Sequence, residues 1–567
     1  MASASGDGAT LTARLLSHYA TNPERAAITL LQPRQPDQIL SVRRLVRGAA
    51  AYASAYRAAG VQPGEVVVLI LQHGEALVYA FWGALLAGAV PSMMPFLTEK
   101  LAPEKYRQEL AALVAVTRPA AVATYPEFAP EVQGALPTGA PNSVRAVLTS
   151  DRVGLEAEPD LEGLPGLRQT PDDLALLQHS SGTTGLQKGV ALSHAAVLRQ
   201  LDQYSAAIHL AETDVIVSWL PLYHDMGLIA GFVMPVACGV PLVLMSPFDW
   251  VRAPYRLLQA VSQYHGTLTW LPNFAFNFCA QKIRERDLPG VNLGSWRAVI
   301  NCSEPMRWES HAAFLKRFAP LGLRPEALAT CYAMAENVFA VTQGGIGAPV
   351  TVDTVDRRAL IGDQVARPLE ADGPEMARLL SAGRPLANVR VRVLDEQRRD
   401  LPERRVGEIA LQSDCMLTGY YNRPDLTERA FFEGFYLTGD LGYQAAGELY
   451  VTGRKKDLII VGGKNVHPQD LEALAAEVSG VHPGRVVAFG VFDDEAGTED
   501  VVLVAEADTE LEEERQAIGD AVRLRINQGS DVAVRRVHVV GPRWVLKTSS
   551  GKVARAANRE KYLNEIQ

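Results

Sequence analysis

Cysteine is scarce in this 567-residue chain: Cys238, Cys279, Cys302, Cys331 and Cys415 are odd in number and widely scattered. No CxxC pair occurs, so neither a zinc knuckle nor a disulfide framework is expected, and a reducing, cytoplasmic setting fits best. Long basic runs are absent too. With 55 Lys and Arg against 64 Asp and Glu the formal charge is −9, and a nucleic-acid partner, which needs clustered cations, is not expected. The opening MASASGDGAT has no apolar core and does not read as a signal peptide. The stretch Ile229 to Phe248 is uncharged over a bilayer's width, but Pro235, Gly239 and Pro241 interrupt it. It reads as a helix end, a turn and a buried strand over Val240–Met245, so no transmembrane segment is expected.

What is present suits a large globular protein. Hydrophobic residues make up 48% and charged ones 21%, enough for a substantial core. The length implies two to four folding units. Strand-like runs such as Val66–Leu71, Ala120–Thr124, Val215–Leu220, Thr267–Leu271 and Ala298–Asn301 alternate with helical stretches. Alternation of this kind predicts an α/β body, a largely parallel sheet covered by helices. From about Arg384 short strands dominate (Val389–Leu394, Val406–Leu411, Leu449–Thr452) and predict a β-rich subdomain. The charged segment Gly453–Asp457 then precedes a tail that reads as a small α+β domain, with helices near Pro468–Val478 and Glu510–Asn527.

The sharpest local feature is Ser180-Ser181-Gly182-Thr183-Thr184-Gly185-Leu186-Gln187-Lys188-Gly189, read as lying between a strand (Leu174–Gln178) and a helix (Ser193–Ala206). Its glycines permit close backbone approach, its amides and hydroxyls can donate to phosphate oxygens, and Lys188 adds a point charge. The GxxxxGK spacing of a Walker A loop is not met. By composition alone a flexible Ser/Gly surface loop is an equal reading.

The stretch resembles the phosphate-binding signature (T/S)SG(T/S)TGxPKG of the adenylate-forming superfamily of acyl-CoA synthetases, adenylation domains and luciferases, with Gln187 in place of proline. Companion motifs follow in the family's order. Tyr332-Ala333-Met334-Ala335-Glu336 resembles YGxxE, with Ala333 for glycine. The resemblance implies that Tyr332 stacks on adenine, that Met334 and the preceding Ser303-Glu304 border the nucleotide, and that Glu336 holds Mg²⁺ together with Thr184. Tyr436-Leu437-Thr438-Gly439-Asp440 matches (Y/F)xTGD, which implies that Asp440 takes the ribose hydroxyls, with Arg454 beside it and Lys456 at a rotation point. Lys547-Thr548-Ser549-Ser550-Gly551-Lys552 resembles PKTxSGK and implies a catalytic Lys552. Each motif alone has a bland reading, as a helix face, a turn or a solvated lysine. Five in order do not.

Three features resemble the fatty acyl-AMP ligase branch. One is Ser218–Ile229 (SWLPLYHDMGLI), in which His224 would stand near the acid carboxylate; as a lone residue it reads equally as a structural histidine. The second is Gly463–Glu472, and the third is an extended segment between Thr342 and Gly383 that resembles the branch's insertion before the hinge. Two departures border the site: His179-Ser180 stands where the branch has Tyr-Thr, and Cys302-Ser303 where it has Gly-Gly. Trp270, Phe274, Phe276 and Phe278 read as core or as the lining of an acyl tunnel, with core slightly favoured.

The resemblance implies a large N-terminal domain over residues 1–453, a hinge at 454–457 and a mobile α+β domain over 458–567. It implies ATP- and Mg²⁺-dependent activation of a medium- or long-chain fatty acid to acyl-AMP, then transfer to an acyl carrier protein. The rivals are an acyl-CoA or aryl-CoA synthetase that uses free CoA and, more distantly, a non-catalytic nucleotide-binding regulator on the same fold.

Overall fold

The computed structural model describes residues 9–566 apart from 97–102, 137–142, 155–158, 181–187, 371–375, 462–463, 494–497, 531–533 and 549–550. Apolar β-branched runs form parallel strands here because helices shield both faces of the sheet. Val66–Ile70, buried at every residue, lies within a seven-stranded sheet. That sheet runs Gly419–Tyr420, Lys188–Ser193, Leu174–Ser180, Val90–Met93, Val66–Ile70, Ala121–Thr124, Ala146–Thr149. A nine-stranded sheet has a parallel centre that passes from Leu328–Ala333 through Ala298–Cys302, Leu268–Leu271, Ile216–Ser218 and Leu242–Met245 to Ala26–Leu31. Its outer strands are antiparallel. The expected α/β body is therefore present.

Helix Glu75–Leu86 is buried from Leu77 onward and packs against helix Val42–Ala58. Two glycines set that crossing. A Cβ on Gly48 would lie 2.4 Å from the Tyr79 ring, and one on Gly83 would lie 2.6 Å from the Ala49 carbonyl oxygen. The uncharged stretch near Ile229 resolves as expected. Helical turns Met226–Val233 and Met234–Cys238 end at left-handed Gly239 (φ 75°), and strand Leu242–Met245 follows. Among the described residues no helix is long and apolar enough to cross a membrane.

The β-rich unit forms where expected, around strands Val389–Leu394, Gly407–Ser413, Phe435–Ala445 and Glu448–Arg454. The extended segment before it contributes a strand pair, Val352–Asp356 with Met376–Leu380, and the short helix Arg357–Gly362. Val355 and Leu360 of this segment share an apolar cluster with Val406, Leu441, Tyr443 and Tyr450, against which Leu458 packs. After the single turn Lys455–Asp457 the tail builds its own core from Leu471, Leu474, Leu503, Val522 and Ile526. It holds a three-stranded sheet and helices Pro468–Ala476, Glu512–Gly529 and Arg555–Glu565. The last of these is one helix more than the sequence suggests.

Candidate active site

The phosphate-loop residues Ser181, Gly182, Thr183, Thr184 and Gly185 lie outside the described residues. The ends of the loop correct the sequence reading, however. The loop joins two antiparallel strands, not a strand and a helix: Ser180 pairs with Lys188 and His179 with Gly189. The run Lys188–Ser193 alternates too briefly to announce a strand, and helix His194–Ala207 begins only after it, with Ser193 Oγ accepting the Ala196 N–H. Among the described residues the segment that directly follows the loop is therefore a strand and not a helix N-terminus. His179 anchors the first strand from below, its Nε2 lying 2.6 Å from Ser92 Oγ. Burial pushes the imidazole down to about 4, so it is neutral.

The nucleotide motifs meet one strand away. Tyr332 ends strand Leu328–Ala333 and donates its hydroxyl to Asp440 Oδ2 at 2.7 Å. Burial, then the Asp440 charge, holds that phenol well above its usual range. Asp440 and Arg454 face each other across the hairpin Phe435–Ala445/Glu448–Arg454, and Arg454 Nε reaches Asp440 Oδ1 at 3.0 Å. The chain turns sharply after Met334, whose N–H donates to the Phe339 carbonyl at 2.9 Å. Val338 in that turn has φ 62°, a costly conformation for a β-branched residue. Gln178, on the strand leading into the phosphate loop, holds it by donating to the Val338 carbonyl at 2.8 Å. The turn carries Glu336, which is buried and accepts the Tyr420 hydroxyl on Oε1 at 2.9 Å. Among the described residues no lysine or arginine forms an ion pair with it. A buried carboxyl group with no ion-pair partner among the described residues fits a hard divalent cation.

The residues expected near the acid lie beyond the ends of neighbouring strands. His224 precedes the helical turn Met226–Val233, where the Asp225 carboxylate accepts the Met226 N–H at 2.8 Å. His224 Nε2 is shut off from solvent and has no hydrogen-bond partner among the described residues. Burial, reinforced by Lys552, drives this imidazole down to about 3. Asp225 and Glu304 are pushed up by burial, and the Lys552 charge opposes the shift in both. Glu304 also accepts the Phe274 N–H on Oε2 at 2.9 Å, at the start of helix Asn273–Lys282. Ser303 has φ 69°, the left-handed backbone that glycine takes more readily, and its hydroxyl points to Met226 Sδ and Cys302 Sγ, each 3.7 Å away.

Lys552 arrives from the C-terminal domain on a tight turn. The Thr548 N–H donates to the Lys552 carbonyl at 2.7 Å, and the Lys552 N–H donates to Thr548 Oγ1 at 3.2 Å. Gly551 has φ 87°, and a Cβ there would lie 3.3 Å from the Phe274 ring. Three residues on, Arg555 pairs with Glu472 and sits 3.7 Å from Asp457 in the connecting turn.

The aromatic cluster divides. Trp270 and Phe276 are core, with Trp270 Nε1 donating to the Tyr204 hydroxyl at 2.8 Å and Phe276 against His311 and Phe314. Phe274 and Phe278 are only partly buried and contact Trp250, which stacks on Trp219 at 3.6 Å and 5°. Sequence reasoning missed Tyr420, Asp225 and this stacked pair. The pair is 31 positions apart along the chain, so no local pattern signals it.

Comparison with known proteins places this geometry. The profile of the family described as AMP-binding enzyme matches residues 16–421. A 4-hydroxyphenylalkanoate adenylyltransferase of Mycobacterium tuberculosis is 32% identical over 528 residues, 88% of this chain and 83% of the relative. The medium-chain-fatty-acid–[acyl-carrier-protein] ligase JamA of Moorena producens is 33% identical, across 69% of this chain and 68% of its own. A structure from a study of fatty acyl-adenylate ligases of E. coli and L. pneumophila superposes with a TM-score of 0.87 at 29% identity, covering 98% of this chain and 97% of that one. The chain belongs to the AMP-binding enzyme family and is an acid-adenylating ligase of the fatty acyl-AMP ligase type.

Proposed function

We infer that the enzyme joins a medium- or long-chain fatty acid to ATP, giving acyl-AMP and pyrophosphate, and then passes the acyl group to the phosphopantetheine thiol of a carrier protein. The observation that supports the first step is that Gly551, next to Lys552, lies against Phe274, whose N–H donates to Glu304, and that the Lys552 charge acts on His224, Asp225 and Glu304. In that step a carboxylate oxygen bonds to the α-phosphorus while the bond to the β-phosphate bridging oxygen breaks, and both partners carry negative charge. A cation fixed between them lowers the barrier more than it stabilises the separated ground state. The neutral His224 imidazole, with an unpartnered Nε2, offers the carboxylate a hydrogen bond without a competing charge. In this reading Tyr332 stacks on adenine beside Met334, Asp440 and Arg454 hold the ribose, and Ser181, Gly182, Thr183, Gly185 and Lys188 take the phosphates. Glu336 and Thr184 would hold Mg²⁺, which when bound neutralises charge on the departing pyrophosphate. Residues 454–457 would act as the hinge between a domain over 1–453 and one over 458–567.

The choice of a carrier-protein thiol over CoA is supported by the packing of the extended segment. Leu360 and Val355 lie in one cluster with Leu458, directly after the connecting turn, and helix Arg357–Gly362 packs against strand Lys464–Val466. Such contacts would resist the domain rotation that a free thiol needs. The carrier-protein ligase named above supports the same acceptor. The test is mass spectrometry of reactions containing ATP, Mg²⁺ and a panel of acids, with CoA, with a holo carrier protein, or with neither. Acyl-AMP that persists with CoA but is consumed by the carrier protein is the expected result. Prompt acyl-CoA formation would make this an acyl-CoA synthetase instead.

A further inference from the structure

Tyr420 belongs to none of the motifs read from the sequence, yet it touches both the loop lysine and the motif carboxylate. Its strand, Gly419–Tyr420, extends the seven-stranded sheet beside Lys188–Ser193, with Tyr420 opposite Val190. That register puts the ring against Lys188, whose Nζ lies 4.8 Å from the ring centroid, within the reach of cation–π attraction. The hydroxyl of the same ring donates to Glu336 Oε1 at 2.9 Å and lies 2.9 Å from the Tyr436 hydroxyl. The backbone around it is tied to the same two elements. Leu417 N–H donates to the Glu336 carbonyl at 2.8 Å, and Tyr421 N–H donates to the Gly189 carbonyl at 2.8 Å.

The chemistry of these contacts matters more than their number. An acidic partner for Lys188, or a basic one for Glu336, would quench the charge that each needs for phosphate or metal. An aromatic face and a phenol hydroxyl fix the two groups while leaving both charges in place. We propose that Tyr420 is a positioning residue for adenylation: its ring sets the Lys188 ammonium, its hydroxyl sets the Glu336 carboxylate, and by joining them it makes phosphate and Mg²⁺ binding interdependent. This rests on the reading of Lys188 as a phosphate ligand and Glu336 as a metal ligand.

The experiment uses the full chain and three variants, Tyr420→Phe, Tyr420→Leu and Glu336→Gln. ATP affinity is measured by titration calorimetry in EDTA and again across a Mg²⁺ series, with thermal unfolding alongside. Tyr420→Phe keeps the ring, so ATP affinity in EDTA stays unchanged while the Mg²⁺ concentration for half-maximal tightening rises roughly 5- to 10-fold. Tyr420→Leu loses the ring as well, and ATP affinity in EDTA falls about 3- to 10-fold. Should Tyr420→Leu fail to fold, Tyr420→Phe, which lacks one oxygen, decides alone. Glu336→Gln abolishes the Mg²⁺ response. If Glu336→Gln does so while Tyr420→Phe keeps the wild-type midpoint, the role of Tyr420 is overturned and the site reading stands. If Glu336→Gln keeps the Mg²⁺ response, the metal assignment itself is overturned. An equal loss of ATP affinity with and without Mg²⁺ in both Tyr420 variants, with lowered unfolding temperatures, would mean a merely structural tyrosine and overturn the proposal.

Discussion

Tyr332 and Asp440, 108 positions apart, are joined by a buried hydrogen bond of 2.7 Å from phenol to carboxylate. Because Arg454 holds the other carboxylate oxygen at 3.0 Å, Asp440 is fixed from both sides before any ribose arrives. Removing the phenol hydroxyl frees one side only. Tyr332→Phe is therefore expected to raise KM for ATP about 3- to 10-fold, with a smaller change in kcat, since a hydrogen bond to a charged group is worth about 1.5–3 kcal/mol and Arg454 keeps part of the alignment. Steady-state pyrophosphate release over an ATP series checks this. An unchanged KM would mean that Arg454 alone orients Asp440.

Lys552→Ala addresses the chemical step. The lysine charge acts on two carboxyl groups, Asp225 and Glu304, whose burial disfavours their charged forms. In the proposed mechanism its loss removes both the transition-state cation and their counter-charge. Acyl-AMP synthesis should fall at least 10²- to 10³-fold, on the scale of losing one preorganised oxyanion donor. ATP binding, measured by calorimetry, should change little. Turnover close to wild type would remove Lys552 from the mechanism.

Much of the site was legible because its residues have no cheaper use in those positions. Thr438-Gly439-Asp440 forms a bulge inside strand Phe435–Ala445, with Gly439 at φ 69°, and Asp440 lies opposite Arg454. Gly551, at φ 87°, sits in the left-handed region that favours glycine. Such positions leave a trace in sequence. Tyr420 does not, since its meaning comes from pairing with a strand more than 200 residues earlier. The strand Lys188–Ser193 was lost to reading for a different reason: six residues next to a capped helix carry too little periodicity to separate strand from helix lead-in. Helix Arg555–Glu565 is mostly polar, with Asn558 and Tyr562 as its buried residues, and offers almost no apolar stripe. The fold class was readable because buried parallel strands are continuous apolar runs.

The extended segment predicts an acceptor switch. Leu360 is buried in the cluster against which Leu458 packs. Leu360→Ala would leave a cavity there and cost about 2–5 kcal/mol of local packing. With the segment loosened beside the connecting turn, acyl-CoA should form where wild type is proposed to stop at acyl-AMP, and the unfolding temperature should fall modestly. Liquid chromatography with mass spectrometry of the two thioester products checks this. A variant that is destabilised but still yields no acyl-CoA would show that this packing does not govern the acceptor.

Buried histidines predict the acid limit of the fold. His194 accepts the Leu11 N–H on Nδ1 at 3.2 Å, and its Nε2 lies 3.2 Å from Gln169 Oε1, so the partners fix the neutral tautomer with its proton on Nε2. Burial pushes its imidazole down to about 4, as it does for His179 and His311. The folded value is depressed below the ordinary 6.5, so below that pH the unfolded chain binds more protons than the folded one. Stability from these groups is therefore complete above about pH 6.5 and declines as pH falls towards 4. Urea midpoints measured from pH 7.5 to 5.0 should fall steadily across that window. His194→Gln should lower the midpoint at pH 7.5, because the tautomer-specific bonds are lost, but should flatten the slope, because one proton-binding difference has gone. A slope identical to wild type would mean that the Leu11–His194–Gln169 chain does not set the acid sensitivity.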